Sequence, residues 1–339
     1  MIRVGIVGVS GYSGALALEL LLKHPHARVT YASAQNTSGA MAEICPRLNG
    51  RTDLVCEIFD LKKASEHCDV VFLAVPHTTA MGIAPGLLKA GKKVIDLSAD
   101  YRLKNAKDYP KWYEHEHSDP QNLKEAVYGL PELYREDIKK AKLIANPGCY
   151  PTAAILALAP LMATHSEDCE SIIIDAKSGV SGAGKKVLAN FMFTEVNGNF
   201  KAYKVLQHQH TPEIDQVLSR ISSKNVSVAF VPHLLPINHG ILETIYVRLK
   251  KKLSSTDAEK LYKKFYKTEP FVRVLKAGTQ PEVKNVAGTN FCDIGFETND
   301  PGNLLVITSV IDNLVKGAAG QAVQNFNLMC GFKEDEGLR

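Results

Sequence analysis

The chain has 339 residues, 45% hydrophobic and 22% charged, with a formal net charge of +4. These are globular values at a length that favours two domains. The mild, dispersed charge implies no nucleic acid, and no stretch approaches the roughly 18–20 apolar residues of a membrane span. Its seven cysteines are odd in number and irregularly spaced, with no CxxC pair, so neither a disulfide framework nor a metal site is expected. Met1-Ile-Arg-Val-Gly5 leads straight into a strand, which leaves no room for a signal peptide and predicts a soluble, cytoplasmic protein.

Residues 4–7 have the pattern of a buried strand. Gly8-Val-Ser10-Gly11-Tyr12-Ser13-Gly14 follows, then a helix over 15–23. Strand, glycine turn and helix form the context in which such glycines mean dinucleotide binding. The backbone can approach a pyrophosphate, and the helix N-terminus faces its charge. The spacing is GxxGxxG rather than the commoner GxGxxG. A second strand over 28–34 ends in Ser33-Ala-Gln35-Asn-Thr-Ser38-Gly39, where an NAD enzyme usually places an acid for the ribose 2′-hydroxyl. Hydroxyls and amides there would tolerate a 2′-phosphate, so NADP (as NADPH) is the expected cofactor.

An apolar strand over 68–75 runs into Pro76-His77-Thr78-Thr79, a helix spans 80–90, and a strand over 93–97 leads to Ser98-Ala-Asp100-Tyr-Arg102. Alternating strands and helices predict a parallel, doubly wound sheet with ligands at the strand C-terminal ends. Asp100 and Arg102 read equally as a ligand contact or as an ion pair fixing the loop. Residues 103–140, with Trp112, Tyr128 and Glu132, read as a long irregular loop over the site.

After a short strand at 143–145 comes Asn146-Pro-Gly-Cys149-Tyr-Pro151-Thr152. Asn-Pro-Gly signals a turn, and Pro151 suits a first helical turn. Cys149 is therefore expected just ahead of a helix N-terminus, where unpaired N–H groups and the dipole favour a thiolate; a packed, inert thiol is the other reading. Further strands at 172–175, 226–231, 242–249, 271–275, 291–296 and 304–311 do not alternate strictly with helices, so a mostly antiparallel α+β domain is expected. A helix over 256–266 lies among them, and one starting at 313 should return to the first domain.

Gly179 to Lys185 fits GxxxxGK after a strand, but Lys186 stands where a P-loop needs Ser or Thr for magnesium. A glycine loop near a cofactor or substrate phosphate fits better. In His208-Gln-His210-Thr-Pro-Glu213 two histidines precede a helix. A reactive cysteine needs an acid/base partner near neutral pKa, and His210 and His239 are both candidates. A nicotinamide domain followed by a helix-start cysteine suggests acyl chemistry: the thiolate expels a leaving group, and hydride reduces the thioester to an aldehyde.

These motifs together resemble the N-acetyl-gamma-glutamyl-phosphate reductase family, relatives of aspartate-semialdehyde dehydrogenase. The resemblance runs through GVSGYSG at 8–14, DLSADYR at 96–102, YGLPE at 128–132, NPGCYPT at 146–152, SGVSGAGK at 178–185, HQHTPEI at 208–214, PHLLPINHGI at 232–241 and KGAAGQAVQN at 316–325. It implies Cys149 as nucleophile, His210 as acid/base, NADPH as cofactor, an acyl-phosphate substrate and a homodimer or homotetramer. Expected cofactor contacts are Gly8, Ser10, Gly11, Tyr12, Ser13, Gly14, Ser33, Gln35, Ser38, Pro76, Ser178, Gly179, Gly182 and Asn313. Expected substrate contacts are Ser98, Arg102, Tyr128, Glu132, Asn146, Lys185, Tyr203, His208 and Glu213. The expected domains are a Rossmann-type unit, 1–148 plus 313–339, and a catalytic and oligomerisation unit, 149–312. Two positions depart from the family: Gln35 and His239 stand where members often carry Arg. The alternatives are a reductase of an aspartyl or aminoadipyl phosphate, a P-loop nucleotidase, and a non-catalytic Rossmann scaffold.

Overall fold

The computed structural model describes residues 1–185 and 187–339; Lys186, which breaks the P-loop pattern, lies outside the described residues. The chain forms two compact units, Met1–Gly148 with Ala318–Arg339, and Cys149–Gly317. Asn313 therefore belongs to the second unit.

The first unit is built on strands β1 (Ile2–Val7), β2 (Ala27–Ala34), β3 (Gly39–Ala40), β4 (Val55–Ile58), β5 (Val70–Leu73), β6 (Lys93–Asp96), β7 (Val127–Tyr128) and β8 (Leu143–Ala145). Their order is β3-β4-β2-β1-β5-β6-β8-β7, parallel except for the β3–β4 pair. Successive side chains of a strand face opposite ways, and both faces here are apolar. Val4, Ile6, Phe72, Ile95 and Ile144 join Leu18 and Leu21 of the helix Tyr12–Leu22 and Val323 and Phe326 of the helix Gly320–Cys330. Val7, Val71, Leu73, Val94 and Leu143 join Met81, Ala84 and Leu87 of the helix Ala80–Lys89, with Tyr101, Tyr109 and Leu123. This is the expected doubly wound sheet. Its order reverses at β1, which sets the ligand crevice beside the glycine turn.

Residues 103–140 are not one irregular loop. They hold the helices Tyr109–Tyr113, Pro120–Glu125 and Pro131–Lys140, each with a proline in its first turn. Asp119 caps the second by accepting the Asn122 N–H. Few apolar side chains are needed because Tyr109 and Leu123 reach a core already formed by the sheet.

The second unit carries β9 (Cys169–Gly179), β10 (Lys201–Ala202), β11 (Ala229–Leu235), β12 (Ile241–Leu249), β13 (Val272–Val274), β14 (Cys292–Thr298) and β15 (Leu304–Ile311) in the order β10-β11-β9-β12-β15-β14-β13. The β11–β9 and β13–β14 pairs are parallel and the others antiparallel. The helix Cys149–His165 packs on this sheet and is buried continuously from Tyr150 to Met162. It is apolar all round because it lies between the sheet and the helices Thr211–Ser222 and Ser255–Phe265. Pro160 removes the N–H that would bond the Leu156 carbonyl. Tyr266 Oη donates to that carbonyl at 2.5 Å, and Tyr262 Oη to the Ala157 carbonyl at 2.5 Å.

Candidate active site

In the first unit the turn after β1 is shaped by backbone contact. Gly8 has φ +89°, and a β-carbon there would lie 2.1 Å from the Ala74 carbonyl oxygen; one at Gly14 would lie 2.3 Å from the Gly8 oxygen. Both positions therefore require glycine. The Ser33 carbonyl accepts from the N–H groups of Gly8 and Val9 at 2.7 and 3.0 Å. No side chain caps the helix Tyr12–Leu22 at Gly11, so its first turn is directed at whatever occupies the turn. This is a cradle a β-carbon would fill, and it fits a dinucleotide pyrophosphate. Ser33 itself is fully buried, so it shapes the turn, while Gln35 and Ser38 are exposed at the end of β2. Pro76 is exposed at the end of β5.

The loop after β6 is a closed polar network. Asp100 accepts from the backbone N–H of Thr78 at 2.6 Å and of Met81 at 2.9 Å, holding the start of the helix Ala80–Lys89. Arg102 donates to the carbonyls of Asn146 and Leu97 at 2.8 and 2.9 Å. The loop-fixing reading of this pair therefore works through backbone partners. Ser98 donates to Asp96 and accepts the Asp100 N–H. Burial and neighbouring Asp100 raise the Asp96 pKa. Asn146 donates to the Ala318 carbonyl and accepts from Asn325, which also donates to the Gly129 carbonyl. Glu132 accepts from Gln324, and the Tyr128 ring meets that of Tyr134 edge-on. Ser98, Arg102, Asn146 and Glu132, expected as substrate contacts, are all buried at or near the strand ends and make these hydrogen bonds within the protein.

In the second unit Cys149 is the first residue of its helix, one turn earlier than a helix beginning after Pro151–Thr152. Gly317 makes room for it, since a β-carbon there would lie 2.7 Å from Cys149 Cβ. The next residue, Tyr150, meets the rings of His208, His210 and Phe230 edge-on at 5.7, 6.1 and 5.3 Å between centroids. Tyr203 Oη donates to Tyr150 Oη at 3.3 Å, and Tyr150 Oη to the His233 carbonyl at 3.2 Å. Burial first, then the Tyr150 bond and the nearby Cys149, leave the Tyr203 phenol pushed up to about 12. The tertiary cause is the helix Thr211–Ser222 packing along the cysteine helix, with His210 at its N-cap.

The two histidines differ in chemistry. The His210 backbone N–H donates to His208 Nδ1 at 3.1 Å, which places the His208 proton on Nε2. Burial, with Lys204 adding, lowers the His208 pKa to about 3, so this ring stays neutral and acts as a support. Glu213 is fully buried in the first turn of the following helix. His239 is exposed, with Nδ1 3.2 Å from Ser181 Oγ. Of the two acid/base candidates, His210 is the one packed against the residue adjoining Cys149.

The glycine loop after β9 lies on the 237–240 backbone. The N–H groups of Gly179, Val180 and Ser181 donate to the carbonyls of Gly240, Ile237 and Asn238 at 2.9, 2.9 and 3.1 Å. A β-carbon at Gly179 would lie 2.6 Å from the Asn238 oxygen, so this glycine answers a backbone approach, whereas Gly182 is less crowded. Asn313 accepts the Gly240 N–H at 2.7 Å and donates to Ser181 Oγ at 2.9 Å. It therefore braces both loops. Ser178 is buried, with Oγ donating to the Gly179 carbonyl, and Lys185 is exposed.

Residues 3–141 match the family described as semialdehyde dehydrogenase, NAD binding domain, and residues 149–313 the semialdehyde dehydrogenase, dimerisation domain. The N-acetyl-gamma-glutamyl-phosphate reductase of Desulfotalea psychrophila is 50% identical, with 100% of this chain and 98% of the relative covered. The chain belongs to the N-acetyl-gamma-glutamyl-phosphate reductase family. The member from Pelotomaculum thermopropionicum is 49% identical over 99% of this chain and 97% of its own length. Among solved structures, aspartate semialdehyde dehydrogenase II of Vibrio cholerae has a TM-score of 0.72 at 17% identity, covering 98% of each chain. The aspartate semialdehyde dehydrogenase of Candida albicans scores 0.71 at 14% identity, covering 97% of this chain and 98% of the other. These two share the reductase family's fold.

Two residues of this reductase-family chain, one hidden from sequence reasoning and one readable in it, were not among the expected site residues. Tyr150 lies inside NPGCYPT, but its ring contacts depend on helices meeting. Glu243 was legible: it interrupts the inward-facing series Ile241, Ile245, Val247 of β12, a charge at a core position. It is fully buried, and neither carboxylate oxygen has a hydrogen-bond partner among the described residues. Ala176 and Ser309 stand opposite it on the flanking strands. Burial raises its pKa well above the usual carboxylate range, with Lys177 opposing, so the folded protein binds the proton more tightly. The resulting stabilisation is complete below the unfolded pKa and is lost as pH rises toward the folded value. Glu243→Gln should therefore gain stability relative to the parent from about pH 4.5 upward, by up to about 1.4 kcal/mol per pH unit. Urea midpoints at several pH values would read this, and a pH-independent difference would contradict it.

Proposed function

We propose that this protein reduces N-acetyl-L-glutamyl 5-phosphate to N-acetyl-L-glutamate 5-semialdehyde with release of phosphate, using NADPH, in the cytoplasmic biosynthesis of arginine. The observation that carries this reading is the end-to-end similarity at 50% identity to a reductase of that name, and the cysteine–histidine geometry supports the chemistry. The glycine turn of the first unit would hold the cofactor pyrophosphate, with Gly8, Gly11 and Gly14 as its backbone and Gln35 and Ser38 near the ribose. When bound, the nicotinamide supplies a hydride.

Cys149 attacks the acyl carbon as a thiolate, favoured by its place in the first turn of a buried helix. A C–S bond forms, the C–O bond to phosphate breaks, and phosphate departs. First-turn N–H groups suit the developing oxyanion. After hydride addition to the thioester carbonyl, His210 protonates the oxygen of the thiohemiacetal. It then recovers that proton as the C–S bond breaks, freeing the aldehyde and the Cys149 thiolate. Tyr203, His208 and Glu213 hold this pair in place. Homo-oligomerisation, as a dimer or tetramer, would use the second unit, which matches a dimerisation domain. On the β9–β12 sheet, Ile173 and its cross-strand partner Tyr246 are 44% and 36% exposed, an apolar pair suited to a second copy.

Steady-state rates with N-acetylglutamyl, aspartyl and aminoadipyl phosphates, each with NADPH, test the reading. The acetylated substrate should give a kcat/KM at least about a hundredfold above the others, a difference of roughly 2.7 kcal/mol in transition-state binding. A higher value for aspartyl or aminoadipyl phosphate would transfer the assignment to that reaction.

A further inference from the structure

We propose that Gly317 and Asp312 are positioning residues for the nucleophile: the turn they shape is a rigid stop that sets where the Cys149 sulfur stands. This rests on the reading of Cys149 as nucleophile given above. A β-carbon on Gly317 would lie 2.7 Å from Cys149 Cβ, 3.1 Å from Cys149 Cα and 3.3 Å from Ile311 Cδ1, where carbon atoms normally keep about 3.5–4.0 Å. Ile311 could turn its side chain away. Cys149 could not, because the two atoms approached are the root of its side chain and its own backbone.

The turn cannot yield instead. The Gly317 N–H donates to the Asp312 carbonyl at 3.0 Å, five residues back. This is the wide spacing of a π turn, a form frequent at functional sites. Asp312 is buried, and its Oδ1 accepts from the Leu314 and Val315 N–H groups at 2.8 and 3.1 Å, while Oδ2 accepts from the Gly288 N–H at 2.8 Å. One carboxylate thus closes the turn on itself and ties it to the loop before β14. The cysteine helix is held from the strand that feeds this turn, since Ser309 Oγ of β15 donates to the Ala153 carbonyl at 3.1 Å. A methyl group at position 317 must therefore displace the first turn of the helix, by on the order of 1 Å. A shift of that size at a reacting group costs about a hundredfold in rate. It also moves the sulfur relative to the first-turn N–H groups that favour its thiolate.

Two measurements on the full chain read this. In the phosphate-dependent oxidation of N-acetylglutamate semialdehyde, Gly317→Ala should lower kcat by about 10–100-fold and leave KM for the semialdehyde within about threefold. Asp312→Asn should lower kcat by about three- to tenfold, because the amide NH2 must face an N–H donor. It also loosens the turn, so the double variant should keep a kcat at least about threefold above that expected from the product of the two single losses. Alkylation of Cys149 by iodoacetamide, followed on its own peptide by mass spectrometry, needs no substrate. Gly317→Ala should slow it by about three- to tenfold at about pH 7 and by less than about twofold at about pH 10, where the thiol is ionised in both proteins. Near-normal kcat in Gly317→Ala, independent losses in the double variant, or equal slowing of alkylation at both pH values would overturn the proposal. If Cys149→Ser retains near-normal turnover, the covalent reading fails, and this inference with it. An inactive serine variant beside a fully active Gly317→Ala would sink this inference alone.

Discussion

Cys149→Ser should lower phosphate-dependent oxidation of N-acetylglutamate semialdehyde by at least about 10³-fold while leaving NADPH binding within about threefold of the parent. The reverse direction is the convenient assay, and it passes through the same thioester. Serine is smaller than cysteine and equally suited to a first helical turn, so the fold has no reason to change. What changes is the chemistry. A hydroxyl is scarcely ionised near neutral pH, and an oxygen ester lacks the leaving ability of a thioester. Gly317 leaves room for the side chain at position 149, and the smaller serine fits the same space. Near-normal turnover in the serine variant would remove the covalent mechanism and return the residue to a packed thiol.

His210→Asn should reduce the rate by about 10²–10⁴, the usual range for a positioned acid/base group, and should remove one limb of the pH–rate profile. Asparagine keeps the backbone N–H that donates to His208 Nδ1 and favours the N-cap position His210 occupies. The ring contacts with Tyr150 and His208 would be lost, so NADPH binding and the unfolding midpoint serve as controls for local collapse. A negligible rate loss would shift the acid/base role to His239, which faces Ser181. His208 is a poor substitute. Its burial keeps the ring neutral down to about pH 3, far below the working range of a general acid.

The sequence alone was sufficient where the signals are local. Strand, glycine turn and helix at residues 2–22, the alternation that follows, and the Asn-Pro-Gly-Cys start of a helix all depend on neighbours in the chain. Backbone geometry decides such features within a few residues, and Gly8 and Gly14 are dictated by contacts of the turn and its flanking strands. The family resemblance likewise rests on contiguous motifs, and relatives spanning the whole chain bear it out.

Only the tertiary structure decided which distant groups meet. Tyr150, Tyr203, His208 and His210 converge because two helices pack side by side, and no spacing in the chain encodes that packing. Asp100 and Arg102 reach backbone groups of Thr78, Met81, Asn146 and Leu97, partners that the local sequence did not name. Residues 103–140 fold into helices because a finished sheet offers their few aromatic and leucine side chains a surface. Glu243 marks the same division: its inward position was readable from the alternation of β12, but its lack of a hydrogen-bond partner among the described residues depended on what the flanking strands and the cysteine helix brought near it.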